Sequence, residues 1–207
     1  MRLGSSLAGF LLAVVLCSGC ATRKPFRSVP AGDRAGTEVI DVTPRAGSSY
    51  STANSRALNE AGAQSGILPA IIMGAAAGTI EGKGLSWVNS IRARGGLDEA
   101  EVVAESIRER VRQLNAGNTN GGPILEVAVT EVGIAELQRG GYFGAVGRVH
   151  ARLRNAANKE LWSAEASSSS TRLRRREEYD ARPELYSEDF REVAEDIARQ
   201  LIDGPIR

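Results

Sequence analysis

The chain is poor in the residue types that most enzymes and metal proteins depend on. Of 207 residues one is His, two are Cys, and aromatics make up 5%. Those counts remove most metal and nucleophile constellations before any motif is sought. No H-E-x-x-H, paired-cysteine, G-x-S-x-G or Walker pattern occurs. A surplus of charge is missing as well: 26 Lys and Arg stand against 25 Asp and Glu, and Arg2 is the only charge before Cys20. Neutral balance disfavours a nucleic-acid partner held through bulk positive charge. What remains, 42% hydrophobic and 25% charged, suits one globular domain whose core must come from Ala, Val, Ile and Leu.

The clearest signal is an address. Residues 1–19 (MRLGSSLAGFLLAVVLCSG) place Arg2 before an apolar stretch from Leu7 to Leu16, then small residues before Cys20. The stretch is too short to span a bilayer and has the layout of a secretory signal helix. Ser18 and Gly19 directly before Cys20 resemble the lipobox of bacterial lipoproteins, with Cys17 standing where that motif usually has Leu. The resemblance implies cleavage before Cys20, diacylation of its thiol and acylation of the new amino terminus. Two or three acyl chains hold a protein stably at a membrane, where one does not. Ala21 stands where Asp commonly marks inner-membrane retention, so the resemblance implies an outer-membrane location facing the periplasm. With Cys17 removed and Cys20 lipidated, the folded part has no free thiol and no disulfide.

The expected organisation is a signal peptide over 1–19, a lipidated N-terminus and flexible tether over 20–36, and a periplasmic domain over 37–207. Prolines, glycines and charges without apolar period mark the tether (ATRKPFRSVPAGDRAG, 21–36). TEVIDVT (37–43) reads as a first strand ended by Pro44. In LDEAEVVAESIRERVRQLN (97–115), Ala100, Val103, Ala104, Ile107, Val111 and Leu114 form one helical stripe that Asp98 can cap. ILEVAVTEV (124–132) alternates as a strand with one buried face. Residues 143–154 and 160–168 form the strongest hairpin, and pairing Leu153 with Trp162 collects Val149, Ala151, Ala164 and Ala166 on one face. TRLRRREEYDARP (171–183) reads as a solvated charged connection, with Arg172, Arg174, Arg175 and Arg176 cancelled by the acids after them. SEDFREVAEDIARQLI (187–202) reads as a closing helix capped by Ser187. The fold class expected is α+β: an antiparallel sheet of about four strands packed by two amphipathic helices, plus an apolar Gly/Ala-rich segment and the signal helix.

Three features bear on function. The segment 66–80 (GILPAIIMGAAAGTI) carries no charge, and Gly66, Ala70, Gly74, Gly78 and Gly82 recur every fourth position. On a helix that spacing makes a flat ridge suited to close helix packing, so the segment reads as a self-association or membrane-contacting element, or as a buried or loosely ordered segment covering the sheet. In the hairpin register, Arg148, His150, Arg152 and Arg154 line the face opposite the apolar one, with Glu165 across from His150. That row is a possible basic face for an acidic partner, or a solvated sheet face. GGYFGAVG (140–147) has no Lys-Ser/Thr pair after it and reads as a bend or bulge into the hairpin, not a nucleotide loop.

The order of lipobox, tether, strand, helix, strand, hairpin with KELW (159–162) and closing helix resembles small envelope lipoproteins related in fold to the curli-secretion channel lipoprotein and the lipoprotein activators of penicillin-binding proteins. The resemblance spans Thr37 to Ile202; segment 66–82 is not part of it. The expectation is a lipid-anchored, non-enzymatic interaction or assembly module with no catalytic residue, metal or cofactor. Its partners would be the membrane, through the N-terminal lipid, and envelope proteins or a second copy. The alternative class is a periplasmic accessory of lipid or small-molecule transport, or an enzyme without a recognisable motif, in which the apolar segment lines a groove.

Overall fold

The computed structural model describes residues 24–42, 47–51, 83–114 and 122–204. Cys20, the signal helix and the ridge Gly66, Ala70, Gly74, Gly78 and Gly82 lie outside the described residues. In chain order the elements are a 3-10 turn at Phe26–Ser28, α1 (Ala31–Arg34), β1 (Glu38–Asp41), β2 (Gly47–Ser51), α2 over residues 83–95, α3 (Glu99–Leu114), β3 (Ile124–Gln138), β4 (Tyr142–Arg154), β5 (Glu160–Ser169), β6 (Arg174–Arg175), α4 (Arg176–Ala181) and α5 (Glu184–Ile202).

One sheet carries all six described strands in the order β1-β3-β4-β5, with β2 beside the second half of β3 and β6 beside the start of β4. The sheet is therefore four strands wide, and it is mixed. β3 pairs antiparallel with β4, and β4 with β5, but β1 and β2 both run parallel to β3. This corrects the expectation of an antiparallel sheet. A hairpin can be read from adjacent sequence, whereas parallel strands need a long crossover that leaves no local pattern.

Alternation decides which face is buried. Leu125, Val127 and Val129 on β3 sit opposite Leu153, Ala151 and Val149 on β4, and the latter three opposite Trp162, Ala164 and Ala166 on β5. The expected pairing of Leu153 with Trp162 is the one observed. β3 runs on beyond the expected Val132 because a bulge between Val129 and Glu131 shifts its parity, after which Val132 and Ile134 face the core. One extra residue inverts the alternation, so a period-two reading ends where the strand does not.

α3 and α5 lie on this buried face. Val103, Ile107 and Val111 of α3 and Phe190, Val193, Ile197 and Leu201 of α5 are at most 3% exposed. Each such side chain contributes about 1.5–3 kcal/mol by leaving water. Asp98 accepts from the Glu101 N–H at 3.1 Å, closing the first turn of α3 as its sequence suggests. Gly147 of β4 lies close under α5: a Cβ there would be 3.2 Å from Val193 and 3.3 Å from Ile197, a tight fit. α5 begins three residues before the expected Ser187, whose hydroxyl instead donates to the Gly95 carbonyl at 3.3 Å and ties α5 to the end of α2.

Residues 24–36 depart from the solvated tether expected of them. Phe26 is fully buried and meets Trp162 edge-on at 5.6 Å, while the Trp162 indole N–H donates to the Lys24 carbonyl at 2.7 Å. A single aromatic in a Pro/Gly-rich run has no periodicity to betray it, yet its ring fills the edge of the core.

Candidate functional site

The face of the sheet turned away from α3 and α5 collects the basic row. Arg148 and Arg152 are exposed, and His150 and Arg154 are half-buried. Because β3 and β5 flank β4, each member of the row has cross-strand neighbours: Glu131 and Ser167 beside Arg148, Ala128 and Glu165 beside His150, Glu126 and Ser163 beside Arg152. The Arg148 guanidinium lies 3.7 Å from Glu131 and 3.5 Å from Glu165, and Arg154 Nε donates to Glu126 at 3.1 Å. The row is thus not a basic patch but one stripe of a charge-alternating surface. Cross-strand pairs of this kind contribute roughly 0.2–1 kcal/mol each.

Next to Arg148 the surface dips into an open depression of about 360 Å³ walled by Glu131, Ala135, Val146, Ser167 and Ser169. The hairpin pairing places Arg148, His150, Arg152 and Arg154 on one face as anticipated. It does not show Glu126 and Glu131, which come from β3. The alternation of β3 sets Glu126 opposite Leu125 and would have located it; the bulge hides Glu131.

The four arginines of the 172–176 run are all engaged within the fold. Arg172 approaches Glu188 and Glu192, Arg175 stacks over the Tyr142 ring at 4.3 Å, and Arg176 over the Trp87 ring at 4.8 Å. Arg174 donates through Nε and Nη2 to the buried Asp189 carboxylate at 2.6 and 2.8 Å, and the Tyr179 hydroxyl donates to the same carboxylate at 2.8 Å. The expected solvated connection is instead β6 and α4, sealed onto α5 by a buried ion pair. A second set repeats the chemistry: Arg92 on α2 donates to Glu99 at the start of α3, and the Tyr186 hydroxyl donates to Glu99 at 3.3 Å.

Both tyrosines are held protonated well above the ordinary phenol range, first by burial and then by the adjoining carboxylate, Asp189 for Tyr179 and Glu99 for Tyr186. The Asp189 hydrogen bonds raise the Arg174 guanidinium in turn. At Asp196, burial works to raise the carboxyl, but hydrogen bonds from Ser168, Arg199 and Gln200 outweigh it and hold the group below its usual range. These clusters join helices to each other and to the sheet, with Asp189 and Tyr179 sealed from solvent.

Among the described residues no helix is long and apolar enough to cross a membrane, and no group of His, Cys, Asp and Glu is placed to hold a metal ion. No protein-family model matches the chain, and no curated protein matches it. Among solved structures, the chain is similar to a crystal structure of a "putative lipoprotein" from Caulobacter crescentus CB15, at 15% identity and a TM-score of 0.34, over 50% of this chain and 76% of that one.

Proposed function

We propose that the chain is an envelope lipoprotein, anchored by lipid on Cys20 at the outer membrane, whose periplasmic α+β domain is a non-enzymatic protein-interaction module. The signal stretch and the small residues before Cys20 support the anchor. The observation that carries the interaction role is the open, charge-alternating sheet face of β3, β4 and β5. Arg148 stands exposed between Glu131 and Glu165, and Arg152 exposed beside Glu126, on a three-strand platform backed by two helices. Such a surface offers a partner fixed donors and acceptors in a set register, which gives specificity more than raw affinity. The sequence ridge Gly66, Ala70, Gly74, Gly78 and Gly82 is a second proposed contact element, for self-association.

The test places a photoreactive benzophenone amino acid at position 152 or 163 on this face, or at position 101 on the exposed side of α3, in cells carrying the full chain. The expected result is one adduct of the same mass from positions 152 and 163 and none from 101. Adducts from 101 alone, or no adduct from either sheet position, would refute the surface. The anchor has its own readout, the mass of the mature N-terminal peptide.

A further inference from the structure

We infer that one end of this domain, the end carrying the β4–β5 turn, lies against the anionic headgroups of the membrane, with the β3–β4 turn at the far end lying farther from it. The inference rests on the acyl anchor at Cys20 proposed above and extends it from where the protein resides to how it is oriented.

The argument begins with the reach of the chain. A tether running to Gly36 would let the domain wander far from the bilayer. The fold instead takes hold of the chain at Lys24, whose carbonyl accepts from Trp162, and at Phe26, fully buried against that same ring. Four peptide steps separate Cys20 from Lys24, a span of at most roughly 14 Å at about 3.3–3.6 Å per residue. By contrast β4 has 13 residues, which at about 3.3 Å each extend for roughly 40 Å. The link is short against the body it holds, so the held end cannot leave the surface while the far end can.

Which end is held follows from the packing. Trp162 opens β5 directly after the turn at Asn155–Lys159. α1 lies beside that turn, because Gly32, Asp33, Ala35, Asn155, Ala156 and Leu161 wall one depression. Pro25 lies under Gly204 at the end of α5, where a Cβ on the glycine would be 3.3 Å from the proline ring. This end therefore gathers the Lys24–Arg34 segment, the β4–β5 turn and Gly204 just past α5. At the opposite end of β4 stand the β3–β4 turn around Arg139 and β6.

Exposed cations lie at the same end. Lys24, Arg27 and Lys159 are exposed there together with half-buried Arg34, against Asp33, Glu38 and Glu160, while Arg110 pairs with Asp203 and Arg154 with Glu126. Three exposed cations a few residues from an acyl anchor can meet anionic headgroups. At the far end Arg174 is bound to Asp189 and Arg175 and Arg176 are stacked on aromatic rings, while Arg139 stands exposed at the turn. The face of β3, β4 and β5 that carries exposed Arg148 and Arg152 then stands roughly upright, presented sideways to the periplasm.

The test uses the full-length protein, purified in its lipidated form and reconstituted into vesicles of phosphatidylethanolamine and phosphatidylglycerol bearing a nitroxide on the headgroup. With Cys20 acylated, a single introduced thiol is the only one available for labelling. The variants Ala157→Cys, at the held end, and Arg139→Cys, at the far end, each receive a fluorophore at an exposed position. The expected result is quenching severalfold stronger at 157 than at 139, with the difference collapsing when a long flexible Gly/Ser insertion is placed between Ala21 and Lys24. Equal quenching at the two positions without the insertion, or no quenching at either in acylated protein, overturns the orientation and leaves the anchor standing. A mature peptide mass without acyl chains overturns the anchor and the orientation together.

Discussion

Asp189 offers the sharpest test of how this fold is held together. It is fully buried on α5, and its two oxygens accept from Arg174 twice and from Tyr179 once. Asp189→Ala removes every one of those acceptors. The Arg174 side chain, 16% exposed, then keeps only Glu188 at 3.7 Å, and the Tyr179 hydroxyl is left buried without an acceptor. Breaking a buried pair by deleting one partner costs about 3–5 kcal/mol. An orphaned buried hydroxyl costs about 1–3 kcal/mol, but both penalties describe the same lost carboxylate and do not add in full. Glu188 and partial hydration of Arg174 trim the total, so the expected loss is about 3–4 kcal/mol. Alanine favours a helix interior, so helix propensity works against the loss and cannot be its source. In urea unfolding followed by circular dichroism the midpoint falls with an unchanged slope, and the thermal midpoint drops by roughly 10 °C for a chain of this size. The decisive comparison is the triple variant Arg174→Met, Asp189→Leu, Tyr179→Phe, which leaves no polar group stranded. It should recover most of the stability, because apolar replacement of a buried pair is often neutral. A loss below about 1 kcal/mol for Asp189→Ala, or a triple variant as unstable as that single one, would refute the assignment.

Two further outcomes follow from the same packing. Tyr179 and Tyr186 have ordinary values of 10.0 and are raised above it by burial, so the unfolded chain releases their protons near pH 10 while the folded one retains them. The stability they contribute is complete below pH 10 and is lost as the pH climbs above it, by up to about 1.4 kcal/mol per pH unit for each. Tyr186→Phe should remove about half of that alkaline slope in unfolding measurements, and an unaltered slope would show the phenol to be hydrated. Phe26→Ala should cost about 3–5 kcal/mol in urea unfolding, as for any fully buried aromatic, whereas a ring on a solvated tether would cost nothing measurable.

Legibility in the sequence tracked the range of the interaction. The stripe of α3, with its Asp98 cap, and the register of β4 with β5 depend on spacings of two, three or four residues, and both were readable. The basic row was correctly assigned to one face for that reason. Of its counter-charges on β3, Glu126 follows from alternation but Glu131 does not, because it lies beyond the bulge at Thr130. The segment 171–183 misled for a different reason. Arginines beside acids look like a solvated loop until α5 arrives from downstream with Asp189 to accept from Arg174 and Tyr179.

By itself the amino-acid sequence determined the local periods, which residues of α3, α5 and the hairpin turn inward, and the chain's poverty in His and Cys. It also carries the apolar stretch and small residues before Cys20, a pattern legible because it is linear. Only the tertiary structure decided that β1 and β2 run parallel to β3, that charged residues of a presumed loop seal the core, and that Phe26 anchors a segment expected to be tether. Each of these depends on groups tens of residues apart meeting in a low-dielectric interior. There the cost of an unpaired charge or the gain from burying one ring outweighs local preference.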